Sequence, residues 1–389
     1  MGISLGLVGL GAFGKAFADL FKKHPMVSRV GLCDREPERV ARFADLDTWK
    51  DKFNPKDVYA SLDDICAADF DALVIITQPW LHAAQCIQAM NAGKHVYSAV
   101  PIVSLPDTGE VLDWCDKLVT TAAKTGMHYM LGETTYYRPQ AMYCRRRAAA
   151  GDFGQFTYSE GEYFHGFDSP GCDLREVGKH RAASAAGQEG IKLRAAYHQR
   201  GHRDAPMQYP THSTGGPICV TGAHAKKVCC WGTKAATDDS FFKNYAFSNQ
   251  TALFQMSDGS TMRICEHREC SVDREIFRIY GTKGSFENDQ WVSHQGRESL
   301  TDETMRDALP DEVAAAWRNT ATDSVEYGGH GGSHAYLVHE FVDAVAHNRV
   351  PAINAWEAAR YMAAGAVAHE SSLKDGEILD VPDWGDAPC

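Results

Sequence analysis

Gly9-Leu10-Gly11-Ala12-Phe13-Gly14 is the stretch on which the fold of this chain turns. An apolar run, Ile3 to Val8, precedes it and reads as a strand. After it, Phe13, Ala16, Phe17, Leu20 and Phe21 recur at helical spacing. A second apolar run, Val30-Gly31-Leu32-Cys33, ends in Asp34, twenty residues beyond Gly14. In a strand-turn-helix of this kind Gly9 permits the tight turn, Gly11 lets backbone approach a pyrophosphate, and Gly14 lets helix and strand pack closely. The free N–H groups of the helix start favour phosphate. A carboxylate at Asp34 is placed for ribose hydroxyls, which favours NAD, while the adjacent Arg35 leaves NADP open.

The alternation continues outward. Asp71 to Ile76 reads as a buried strand, Thr77-Gln78-Pro79-Trp80-Leu81-His82 turns into a helix reaching about Met90, and Lys94 to Ser98 is a further strand. Leu105 to Thr125 reads as a helix and Met127 to Gly132 as another strand. The series predicts a doubly wound parallel sheet with its ligand at the carboxyl ends of the strands. We assign residues 1–131 to this Rossmann domain and 132–389 to a second, α+β domain. Gln250 to Met256 and Ser260 to Cys265, split by Asp258-Gly259, predict a β-hairpin, which Glu275 to Gly281 continues. Ser333 starts one helix, and Asn354 caps another that carries Ala358, Ala359, Ala363, Ala364 and Ala366.

Composition narrows the function classes. The 389 residues carry 39 Lys+Arg against 51 Asp+Glu, a net charge of −12, which argues against a nucleic-acid footprint. No apolar run approaches the ~18 residues of a membrane span. The twelve cysteines, Cys172 and Cys389 among them, form no C-x-x-C pair and lie scattered as buried thiols do in a reducing compartment. Met1-Gly2-Ile3-Ser4 leads straight into a strand, so we expect a cytoplasmic protein without a secretory signal.

Gly9 to Gly14, Asp34, Thr77 to His82, Gly93-Lys94-His95-Val96 and the Pro101 loop together resemble the Gfo/Idh/MocA oxidoreductase superfamily over nearly the whole length. The resemblance implies a Rossmann domain followed by a domain with a large, open, mostly antiparallel sheet, which commonly forms a homo-oligomer interface, so a dimer or tetramer is expected. It implies cofactor contacts from Gly9, Gly11, Ala12, Phe13, Gly14, Asp34, Arg35, Thr77, Gln78, His82 and Pro101. One departure matters. The family's Glu-Lys-Pro, whose lysine moves the proton, is replaced by Ala99-Val100-Pro101, and valine moves none.

A second motif, Tyr209-Pro210-Thr211-His212-Ser213-Thr214-Gly215-Gly216, looks like the NAD-dependent glycoside hydrolases of the same superfamily, as do Val100-Pro101 and Gly329-His330-Gly331-Gly332. That resemblance implies tightly held, recycled NAD, transient oxidation at the sugar C3, elimination, water addition and re-reduction, with Tyr209 and His212 as proton carriers. Three apart, these two would share a helix face, with Pro210 near the helix start. The alternative is a conventional NAD(P)-dependent sugar or inositol dehydrogenase. Tyr136, at the domain junction, is a candidate sugar contact. Cys172 to Ala205 reads as an irregular polar loop with seven cations against four acids, and Lys179, Lys192 and His180 are candidate substrate contacts there. Such a wall would suit an anionic sugar, such as the substrate of the superfamily's NAD-dependent sulfoquinovosidases. His330, His334 and His339 lack a carboxylate-histidine motif, and no metal is expected.

Overall fold

The computed structural model describes residues 2–168 and 173–388; Met1, Cys172 and Cys389 lie outside them. Six strands, β1 (Ile3–Val8), β2 (Val27–Cys33), β3 (Phe53–Tyr59), β4 (Ala72–Ile75), β5 (His95–Ser98) and β6 (Tyr129–Leu131), form one sheet in the order β3-β2-β1-β4-β5-β6. Every pair in it is parallel. The chain reverses direction across the sheet between β1 and β4, and a crevice opens there at the strands' carboxyl ends. Hydrophobicity explains the arrangement: β4 is buried at all four positions and β1 at five of six, as a sheet covered on both faces requires.

The second sheet has nine strands: β7 (Phe156–Phe164), β8 (Ala225–Thr233), β9 (Asn249–Met256), β10 (Thr261–His267), β11 (Arg274–Gly281), β12 (Gly284–Glu287), β13 (Gln290–Ser293), β14 (Gly296–Ser299) and, after a two-stranded ribbon of β15 (Arg318–Asn319) and β16 (Ser324–Val325), β17 (Leu379–Asp380). Its order is β14-β13-β12-β11-β7-β10-β9-β8-β17. Only β7 and β10 run parallel, so the sheet is mixed and mostly antiparallel. The β9–β10 hairpin turns at Gly259, whose φ of 88° suits a residue without Cβ.

Helices Pro139–Ala149, Thr211–Thr221 and Ala355–Leu373 pack beside this sheet. The alanines of the last let it approach closely. A Cβ on Gly365 would come within 2.2 Å of Pro210 Cβ, so this helix presses on the turn that carries Tyr209 and His212. The helix Ser333–Ala346 returns to the first domain, where Phe341 meets Phe21 and Tyr97. The Trp317 indole N–H donates to the Leu20 carbonyl at 3.1 Å. One hydrophobic core therefore runs through both domains.

The segment expected to be an irregular loop is instead two helices, Leu174–Ala182 and Ala185–Gln199, capped by the Asp173 and Ser184 side chains. Neither has an apolar stripe: the first buries no residue, and the second only Gly187 and Tyr197. Their contacts are polar and reach across to the first domain. The Trp80 indole N–H donates to the Ala186 carbonyl at 3.2 Å, and the Gln78 amide donates to Ser184 Oγ at 3.2 Å. The ten cysteines within the described residues form no disulfide, and no described helix is long and apolar enough to cross a membrane.

Candidate active site

A cavity of about 740 Å³ starts at the carboxyl ends of β1, β2, β4 and β5 and ends against the second domain. Its first half is the glycine-rich turn. Gly9 has φ 90°, and a Cβ there would lie 2.3 Å from the Ile76 carbonyl oxygen. Gly14 packs so closely that a Cβ would meet Gly9 O at 1.9 Å. At Gly11 the nearest atom to a Cβ would be Arg39 Nη1 at 3.8 Å, so that face of the turn opens on the cavity. Gly11 also caps the helix Ala12–Lys23, whose first turn holds no acid, so its N–H groups and dipole suit an anion. Ala12 and Phe13 line the cavity beside it. These features fit the pyrophosphate of a dinucleotide.

Asp34 lines the same half. Its carboxylate accepts from Leu10 N–H at 2.7 Å and Glu36 N–H at 2.9 Å, which fixes its orientation. Arg35 also lines the cavity, yet both of its terminal nitrogens bind Glu189, at 2.8 and 2.9 Å. A 2′-phosphate would have to displace that carboxylate. Glu189→Gln should therefore raise NADP affinity relative to NAD by up to about fivefold, the ~1 kcal/mol ceiling of an exposed ion pair. Titration of both cofactors by fluorescence quenching reads it, and an unchanged ratio rejects the assignment.

Thr77, Gln78 and His82 line the cavity, and each is held by the protein: Thr77 Oγ1 donates to Gln85 at 2.6 Å and Gln78 ties down the helical insertion. His82 Nδ1 lies 2.9 Å from the Pro101 carbonyl and Nε2 lies 3.3 Å from the Thr77 carbonyl. Burial pushes this imidazole down to about 4, so it is neutral and its single N–H can donate to only one of the two carbonyls, Pro101 being the nearer. Pro101, expected at the cofactor, does not line the cavity; it acts through its carbonyl on His82. Val100 does line it, and its carbonyl accepts the Tyr209 hydroxyl at 3.2 Å.

The second half of the cavity is lined by Thr134, Tyr163, Tyr209, His212 and His330. Tyr209 and His212 meet there with ring centroids 5.6 Å apart. They do not share a helix face: the helix begins at Thr211, and Tyr209 lies before it with φ −135°. His212 Nδ1 lies 2.8 Å from Glu133 Oε1, and neither side chain is more than 8% exposed. Burial alone would push the imidazole down. The charges of Glu133 and Glu275 and the Glu133 hydrogen bond outweigh it and hold His212 at about 9, an imidazolium at neutral pH. Burial likewise pushes the Glu133 carboxyl up, and the His212 charge with hydrogen bonds from His212 and the Thr135 N–H takes it down to about 2. Burial pushes the Tyr209 phenol up to about 12, so it rests protonated.

Glu133, His212 and Glu275 present ligand-type atoms within 4.8 Å of one another. Arg138 pairs with Glu275, and Thr135 Oγ1 donates to that carboxylate at 2.6 Å. Two carboxylates thus face one guanidinium and one imidazolium, so the formal charges of the cluster balance. Tyr163, from β7, places its ring 4.9 Å from His212 and its hydroxyl 2.6 Å from His165 Nδ1. Glu133, Tyr163, Glu275 and His330 were not singled out from sequence as site residues.

Three expected substrate contacts are displaced. Tyr136 packs away from the cavity, its ring 3.9 Å from the Arg145 guanidinium carbon and 4.8 Å from the Tyr137 ring. The 3-10 turn Thr134–Tyr137 gives the cavity Thr134 instead. Lys179 is exposed and pairs with Glu176, and Lys192 is exposed on the helix Ala185–Gln199; neither lines the cavity. The expected cationic wall is largely consumed by ion pairs: Arg175 with Asp239, Arg194 with Asp204 and Arg200 with Glu110. His180 does line the cavity, joined by Arg181.

Comparison with known proteins covers both halves. Residues 3–133 match the model of the oxidoreductase family with an NAD-binding Rossmann fold, and residues 137–387 match the glycosyl hydrolase 109 C-terminal domain. A glycosyl hydrolase family 109 protein of Streptomyces niveus is 28% identical over 414 residues, covering 98% of this chain and 77% of that one. An alpha-N-acetylgalactosaminidase of Tannerella forsythia is 25% identical over 349 residues, covering 81% and 71%. The fold is that of scyllo-inositol dehydrogenase from Lactobacillus casei, solved with NAD(H) and scyllo-inositol: TM-score 0.68 at 18% identity, over 98% of this chain and 99% of that one.

Proposed function

The chain belongs to the glycosyl hydrolase 109 family, and on that premise we propose that it is an NAD-dependent glycoside hydrolase working through Tyr209 and His212. The observation that carries this reading is the buried His212–Glu133 ion pair beside Tyr209, in the same cavity as the dinucleotide turn. Val100 offers no proton carrier where the dehydrogenase lysine would stand, and the phenol of Tyr209, whose hydroxyl donates to the Val100 carbonyl, with the charged imidazole of His212 would supply one.

Gly9, Gly11, the helix start at Ala12 and Asp34 would hold the cofactor. A bound NAD would supply reversible hydride acceptance at the sugar C3, which would leave the hydrolysis without net oxidation. The chain's own groups move protons. Tyr209, its hydroxyl against the Val100 carbonyl, serves the C3 hydroxyl. A phenol held at about 12 must lose its own proton before it can take one, and a nearby cation favours that loss; Arg181 and Arg268 already act in that direction. His212 has Nδ1 committed to Glu133, which leaves Nε2 for the ligand. There it serves C1, giving its proton to the departing aglycone and recovering one from the water that adds, while the C2 proton passes to solvent water in the cavity and one returns from that water when the C1 oxygen is added. This division needs no pair of carboxylates flanking the glycosidic bond.

An α-N-acetylgalactosaminide is the first substrate to try, after the relative from Tannerella forsythia. A sulfoquinovoside is the second, because Arg181 and His180 line the cavity. The test is release of phenol from aryl glycosides by cofactor-stripped protein with and without added NAD. Release that requires NAD with no build-up of NADH supports the proposal. Stoichiometric NADH would make the chain a sugar dehydrogenase instead, and release without NAD would reject both.

A further inference from the structure

The helices Leu174–Ala182 and Ala185–Gln199 have no part in the proton transfers above, yet both reach the cofactor half of the cavity. Val177, His180 and Arg181 of the first, Ser184 of the turn between them and Ala186 of the second all line it. The far end of the pair is anchored. Tyr197 is buried, and its hydroxyl donates to Glu110 on the helix Thr108–Thr125. Arg194 donates to Ser104 Oγ at 2.9 Å and pairs with Asp204, and His202, just beyond the helix, lies 3.2 Å from Asp107.

The near end is held differently. The Glu36 carboxylate accepts the Ala185 N–H at 3.1 Å, and Arg35 pairs with Glu189. The Gln78 amide donates to Ser184 Oγ, and the Trp80 indole donates to the Ala186 carbonyl. Arg35 and Glu36 follow β2, whereas Gln78 and Trp80 follow β4, and these two strands flank β1 in the sheet. Residues 184–189 therefore bridge the glycine-rich turn from one side to the other. A pyrophosphate seated on that turn would lie between it and the bridge. The bridge rests on polar contacts alone: Arg35 and Glu189 are 54% and 45% exposed, and the other three are hydrogen bonds without an apolar stripe beneath them. Segments with so few buried apolar contacts open locally at low cost. The two helices pack closely enough to move as one unit, since a Cβ on Gly187 would meet the Arg181 carbonyl oxygen at 1.8 Å.

We propose that this helix pair is a gate on the cofactor: a dinucleotide enters or leaves only when residues 184–189 lift off Glu36, Gln78 and Trp80, with the Tyr197 end as the pivot. The gate stands apart from the glycosidase reading, although a cofactor restored within each turnover has no need to exchange.

Gly190 supplies the test. It lies inside the second helix and outside the cavity, and a Cβ there would come 2.7 Å from Trp80 Nε1. Gly190→Ala suits a helix better than glycine does, but it wedges the helix against Trp80 and breaks the indole hydrogen bond. Gly178→Ala makes the same change in the first helix, where a Cβ meets nothing within 4 Å. Dissociation is read by chasing radiolabelled NAD with unlabelled NAD, and association by stopped-flow fluorescence. Entry and exit pass through the same open gate, so Gly190→Ala should speed both by about three- to tenfold, the worth of one hydrogen bond. Trp80→Phe deletes that hydrogen bond without the wedge and should do the same, while Gly178→Ala should match wild type. Wild-type rates in Gly190→Ala or Trp80→Phe, acceleration of dissociation alone, or equal acceleration in Gly178→Ala overturns the proposal, as does wild-type protein that binds no NAD. No glycoside enters these measurements, so protein that hydrolyses none would sink the glycosidase reading while the rates still decide the gate.

Discussion

With His212 replaced by asparagine, turnover of an aryl glycoside should fall by about 10²–10⁴-fold, the usual contribution of a positioned acid-base group. Asparagine can still hydrogen-bond Glu133 but cannot give up a proton, so kcat should fall while NAD affinity persists. In wild type, kcat/KM should hold steady through neutral pH and decline above about 9 as His212 loses its proton. A variant with wild-type kcat would remove His212 from the mechanism.

Glu133→Gln should have the second-largest effect, on stability and on the pH profile together. His212 is held at about 9 against an ordinary 6.5, so the pair's stabilisation is complete below pH 6.5 and lost as pH rises through 9. Seen from Glu133, held at about 2 against 4.5, it is complete above pH 4.5 and lost as pH falls through 2. These are two views of one interaction and count once. At pH 7 its loss should cost roughly 2–3 kcal/mol. The cost stays moderate because the stranded imidazole can shed its proton. Urea unfolding should show the largest gap between wild type and variant near pH 5.5 and almost none above pH 9.5. The alkaline limb of kcat/KM should also move toward neutrality. A gap that persists at high pH would mean that Glu133 acts through packing.

The cofactor half of the site was legible because its determinants are local. Gly9, Gly11, Gly14 and Asp34 fall within one strand-turn-helix-strand unit, and each answers to a steric or electrostatic demand visible in spacing. The half proposed as catalytic is assembled from distant segments. Glu133 lies 79 residues before its partner His212, and nothing in Gly132-Glu133-Thr134-Thr135 marks the carboxylate as buried. Tyr163 sits mid-strand, where an aromatic is ordinary. His330 was noted only in a glycine-rich stretch and for a metal motif that it lacks, and neither places its ring in the cavity. The helices Leu174–Ala182 and Ala185–Gln199 escaped notice for a different reason: they bury almost no apolar surface, so the periodicity that reveals helices is missing. Lys179 and Lys192 were drawn in by net charge, which does not say which cations are already paired.

Hydrolysis of an accepted glycoside in D₂O, followed by NMR of the released sugar, tests the account most directly. A transient ketone at C3 makes the neighbouring C2–H acidic. The account therefore predicts deuterium at C2 of the product, only when NAD is present, and much less of it with His212→Asn. A product that keeps its C2 hydrogen would contradict it, whatever the rate of release.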